Sequence, residues 1–108
     1  MSIRISQYSN PIGTRVIEDL DCDATPEQNV LSGTATVLKV QVDNSDNSHD
    51  VFFKAVNATT ATVGITRPRL EIPCRAGRKT VVSIQGGSGI SFGTGLTFWC
   101  TATAGTAA

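Results

Sequence analysis

Apolar and polar residues alternate with a period of two along most of the chain between residues 34 and 103. Leu38, Val40 and Val42 fall on one side of the alternation, with Val37, Lys39 and Gln41 on the other. Leu70, Ile72 and Cys74 interleave with Arg69 and Glu71, and Leu96, Phe98, Cys100 and Ala102 interleave with Thr97, Trp99, Thr101 and Thr103. Successive side chains of a strand point to opposite faces, so the pattern builds sheets packed on one side and wet on the other. No stretch carries a helical stripe. The fold class is all-β, an antiparallel β-sandwich or jelly-roll-like domain of seven or eight short strands with an extended N-terminal arm.

With 108 residues the chain fits one domain with one core. Residues 1–33 form an extended arm or edge segment: Ile3, Ile5, Tyr8 and Ile12 on a loose alternation, a short strand over 14–17, then an acidic stretch ending in Thr25-Pro26. The body, 34–108, is expected to hold strands at 34–43, 50–57, 69–74, 79–84, 90–92 and 95–103, with a weak edge strand over 58–65. The first two of these form a hairpin or cross between sheets, and the tail 104–108 frays. MSIRISQYSN lacks a secretory apolar region, and no run is long enough for a membrane helix, so the expectation is a soluble, cytoplasmically made protein without a membrane partner. Cys22, Cys74 and Cys100 lack CxxC spacing and read as reduced thiols. A disulfide between Cys74 and Cys100 stays open if their strands meet across the core.

The inventory argues against catalysis. The single histidine, His49, sits in the polar loop 44–49 and reads as a solvated loop residue; no serine sits in a nucleophile-elbow context, and no cysteine has a base nearby in sequence. Asp43, Asn44, Asp46, Asn47 and Asp50 are hard oxygen ligands, but the spacing is not that of an EF-hand, and Asn- and Asp-rich turns form for backbone reasons. The turn is the reading and calcium the alternative. Gly86-Gly87-Ser88-Gly89 lacks the following helix and the lysine of a phosphate loop, which leaves a flexible hairpin or a close subunit approach. No cofactor or metal is expected.

Charge is segregated although nine acidic and nine basic residues cancel. Glu18, Asp19, Asp21, Asp23 and Glu27 fall within 18–27 without a basic residue, while Arg67, Arg69, Arg75, Arg78 and Lys79 share 67–79 with Glu71 alone. The two sets are solvated faces, paired within one molecule or between subunits. Complementary patches fix register in an assembly. Nucleic acid is disfavoured by the balanced total and by aromatic residues that do not interleave with the basic stretch. If Phe98 and Cys100 face the core, Trp99 faces outward, as an interface anchor or a sugar-stacking ring.

Three segments carry a resemblance: 40–56 (VQVDNSDNSHDVFFKAV), 72–84 (IPCRAGRKTVVSI) and 89–104 (GISFGTGLTFWCTATA). They are a strand with an Asn-rich turn, a turn through Arg75-Ala76-Gly77 into a strand, and a closing strand with alternating threonines. In order they resemble small structural proteins of tailed bacteriophages, particularly phages of cyanobacteria and marine bacteria. The resemblance implies a virion structural protein without catalytic residues. A capsid decoration (cement) protein is the first expectation, bound to the major capsid protein or other virion proteins as a homo-oligomer, with a trimer favoured. Ile3, Ile5, Tyr8 and Ile12 then pair onto or cover a neighbour's sheet edge. A tail, baseplate or fibre component is the alternative within the class. A carbohydrate-binding module using Trp99 is the alternative outside it.

Overall fold

A computed structural model describes residues 3–7, 15–19, 22–84 and 89–107. Among them the chain forms β1 (Ile3–Gln7), β2 (Arg15–Asp19), β3 (Ala35–Val37), β4 (Lys39–Asp43), β5 (Val51–Asn57), β6 (Leu70–Cys74), β7 (Lys79–Ser83), β8 (Ile90–Phe92) and β9 (Leu96–Thr101). Every pairing is antiparallel, and no helix occurs among the described residues. The body therefore holds seven strands, within the expected number, and the arm adds a β1–β2 pair.

Two layers pack like a sandwich. The first is a sheet in the order β6-β5-β9, with Phe53 opposite Ile72 on one side and Cys100 on the other. The second is a ribbon in which β3 pairs β8 and β4 pairs β7. Residues 35–43 run along one side of that ribbon, interrupted only at Leu38, whose carbonyl accepts the Ile84 amide at 2.9 Å. Val37 faces Ile90 and Lys39 faces Ser83, so two steps on one strand match seven on the other. The surplus falls in the glycine-rich stretch, of which 85–88 lie outside the described residues. Gly89, at φ 78°, approaches the ribbon so closely that a Cβ there would sit 2.5 Å from the Val37 carbonyl oxygen. The close approach is made within the chain.

Alternation selects the buried set. Ala35 and Phe92 from the ribbon meet Ala55, Leu96 and Phe98 from the sheet, with Phe53 and Leu70 packed at the margin. The Phe53 and Phe98 rings lie 5.7 Å apart with a 31° tilt, a favourable aromatic geometry. Because β4 and β5 belong to different layers, the loop 44–50 carries the chain between sheets; the hairpin alternative does not form.

Several expectations change. The segment 58–65 is not an edge strand: the Ile65 and Thr66 amides both donate to the Thr62 carbonyl, at 3.0 and 2.9 Å, making a turn. Of the two forms expected for the N-terminal segment, residues 23–30 take that of an edge segment. Glu27 and Phe98 exchange backbone bonds of 2.8 and 3.1 Å, Val30 donates to Leu96 and Cys100 donates to Asp23, so this segment closes the edge of β9. The tail is tied down as well. The Gly105 amide donates to Glu71 Oε2 at 2.7 Å, and the Thr103 and Ala107 carbonyls accept from Lys54 Nζ, each at 2.8 Å.

Candidate functional site

The sheet runs from the edge segment 23–30 through β9 and β5 to β6, and its two edges carry opposite charge. Arg67 and Arg69 lie just before β6, both exposed. Arg69 is fixed by its amide, which donates to the Ala55 carbonyl at 2.8 Å, and its guanidinium lies 5.9 Å from the centre of the Phe92 ring. Arg75 and Arg78 follow β6 in a turn made by Gly77 at φ 74°, and Lys79 opens β7; all three are exposed. Lys79 stands opposite Asp43 in the β4–β7 register. The Asp43 carboxyl is held below the usual carboxylate range, first by the Ser45 hydroxyl and amide and then by Lys79. Asp50 Oδ1 accepts the Ala76 amide at 2.9 Å. The basic turn thus has acidic neighbours from loop 43–50.

The acidic set lies on the other side. Asp23 is exposed, and its Oδ1 accepts the Thr25 amide at 2.8 Å. Glu27, half-buried, is level with Leu70 across Phe98 and Ala55, while Asp23 lies toward the Cys74 end. Glu18 and Asp19 belong to β2, opposite Arg4 and Ile3; Asp21 lies outside the described residues. Three strand spacings separate segment 23–30 from β6, about 14 Å. That exceeds the screening length of about 8 Å at physiological salt, so the edges do not neutralise each other within one molecule.

The arm's apolar residues were expected on a neighbour. Ile3 is exposed, and Ile5 sits opposite Ile17 because β1 pairs with β2 of its own chain. Tyr8 and Ile12 lie outside the described residues.

Trp99 does lie on the face opposite Phe98 and Cys100, but the expected exposure there is overturned: it is 1% exposed. All six residues of β9 are buried, on both faces. Trp99 stands beside Lys54, and Lys54 beside Glu71, in one row across the face opposite the core. The tail 102–107 turns back over that face through its bonds to Lys54 and Glu71. A ring so buried offers no platform to a sugar, and the carbohydrate alternative loses the residue it rested on.

Lys54 is fully buried. Burial pulls its ammonium below the usual lysine range, opposed by Glu71. A lysine whose folded value is depressed binds fewer protons folded than unfolded, so stability rises as pH climbs through the folded value toward the unfolded 10.5. The denaturant midpoint of the native chain should therefore gain on that of Lys54→Met over the alkaline range; parallel curves would refute the burial.

Sequence reasoning missed two other features. Asn44 is 1% exposed and organises both loops at the basic end, a role that its place in a polar run conceals. Cys100 Sγ lies 3.0 Å from Cys22 Sγ. Cys74 and Cys100 are on strands separated by β5, about 10 Å apart, which is beyond disulfide reach and closes the pairing left open above. His49 is exposed in its loop, and no group of three His, Cys, Asp or Glu side chains suited to a metal occurs among the described residues. No described helix is long and apolar enough to cross a membrane. The chain matches no protein-family model, no curated protein and no solved structure.

Proposed function

We propose that this chain is a structural protein of a tailed-phage virion, and within that class a capsid decoration protein that cements neighbouring capsomers. The observation that carries the reading is the acidic edge at 23–30 facing away from the basic residues that flank β6 on the same sheet. A second copy placed edge to edge would bring the acidic edge of one molecule onto the basic residues flanking β6 of the next. Such a contact joins unlike surfaces, so repetition closes into a ring when the rotation permits, a trimer being the form favoured here. Asp23 of one copy then meets the Arg75 end of its neighbour. Each contact is modest, and avidity over a repeating shell supplies the strength. The sequence resemblance through 40–56, 72–84 and 89–104 supports the virion class.

The test is solution mass by light scattering at low and high salt, followed by add-back to phage heads lacking the chain. A discrete oligomer at low salt that dissociates at high salt is expected, as is recovered heat resistance of the heads. Arg75→Glu with Arg78→Glu should shift the association midpoint by at least about tenfold, since like charges would then face each other. A monomer at both salts would remove the edge contact. Binding to tails but not heads would move the protein to the alternative position in the virion.

A further inference from the structure

We propose that Cys22 and Cys100 form a redox-dependent staple, a reversible disulfide that locks the acidic edge segment onto β9. Three observations point to it. The two sulfurs are in contact at 3.0 Å, so bond formation needs a closure of about 1 Å between them. The backbone beside them is already tied, because the Cys100 amide donates to the Asp23 carbonyl at 2.9 Å. The third thiol does not compete: Cys74 is buried across β5, with its Sγ 3.3 Å from the Ile72 carbonyl oxygen.

The chemistry requires an oxidant, and a low-molecular-weight disulfide such as glutathione disulfide supplies it. Cys22 is half-buried and Cys100 buried, so the oxidant reaches Cys22 first. The Cys22 thiol gives up its proton, its thiolate attacks one oxidant sulfur, and the other leaves as a thiolate. Cys100 then loses its proton and attacks the Cys22 sulfur of the mixed disulfide, expelling the second small thiol. The two protein thiols lose two electrons and two protons, and the oxidant disulfide is reduced to two thiols. In the reduced pair the shared hydrogen bond favours the thiolate at Cys100. The same hydrogen bond, burial and the carboxylates of Asp19 and Asp23 push the Cys22 thiol up. The reaction is therefore slow at neutral pH and accelerates in alkali.

The staple would close a loop from residue 22 to residue 100 that contains nearly the whole body. Cross-links spanning loops of that length constrain the unfolded chain most. The inference is independent of the virion reading, because it concerns the covalent state of the folded chain and requires no partner.

The experiment exposes the reduced full-length chain to excess glutathione disulfide, traps remaining thiols by alkylation, and maps peptides without reduction. The expected product links Cys22 to Cys100 in one chain, with Cys74 free, and is lost on reduction. Its thermal midpoint should lie about 10–20 °C above that of the reduced chain. Cys74→Ala should form the same product and Cys22→Ser should not. The proposal is overturned if the chain stays reduced, carries only glutathione adducts, links through Cys74, or links between molecules.

Discussion

Replacing Trp99 with alanine should lower the unfolding free energy by about 3–5 kcal/mol, the usual loss for a large aromatic side chain removed from a packed site. Trp99 is 1% exposed, lies in a strand buried on both faces, and is flanked across the sheet by Lys54. Against a total of about 5–15 kcal/mol for a small domain, this leaves a chain close to unfolding. A second change separates the ring from its cover. Ending the chain after Thr101 removes the carbonyls of Thr103 and Ala107 that Lys54 Nζ holds, and the Gly105 amide that Glu71 holds. Water then reaches the sheet face, and the emission of the only tryptophan should move to the red. The accompanying loss should be about 2–3 kcal/mol, smaller than for Trp99→Ala, because rehydration compensates both the ammonium and the indole in part. Denaturant unfolding of the two variants checks both values. A Trp99→Ala cost within about 0.5 kcal/mol would instead be the signature of a surface ring. That result would reopen a binding role for this face.

The alternation made most strands legible because burial of one face leaves a period-two record in the side chains. The same rule failed at β9. It supposes one wet face per strand, whereas here the second face is covered by a tail of Ala, Thr and Gly whose hold is made by main-chain atoms. No side-chain pattern announces such a cover, and Lys54 within VFFKAV reads as an ordinary solvated lysine. The charged stretches were visible as composition. That they occupy opposite edges was not, since it depends on the order β6-β5-β9 and on residues 23–30 bonding to β9. The Cys22–Cys100 contact follows from that same edge pairing, across most of the chain's length, and spacing gives no sign of it.

Asn44→Ala should cost about 2–4 kcal/mol, and Asn44→Asp more at neutral pH, although the second change preserves shape. The Asn44 Nδ2 donates to the His49 carbonyl at 3.1 Å and the Cys74 carbonyl at 3.0 Å, while its Oδ1 accepts from Asn47 Nδ2 at 2.5 Å. Its main chain continues the network: the amide donates to Arg78 and the carbonyl accepts from Gly77. Alanine leaves those carbonyls without a donor at a site from which water is largely excluded. Aspartate does worse, because it sets a carboxylate oxygen against two carbonyl oxygens in a buried site. Burial and that repulsion raise the folded-state value of such an aspartate above its unfolded one. Its penalty should then shrink as pH falls, when the protonated carboxyl regains a donor. Urea unfolding of both variants at mildly acidic and neutral pH measures the difference. Added calcium discriminates further. If 43–50 were a calcium loop, Asn44→Asp would add a charged ligand and calcium would restore the loss. A turn gives no such rescue, and that is the expected result. The consequence reaches the basic edge, because Asn44 holds the turn that presents Arg75 and Arg78. Asn44→Ala should therefore weaken salt-sensitive self-association while the acidic edge, on the far side of the sheet, keeps its bonds to β9.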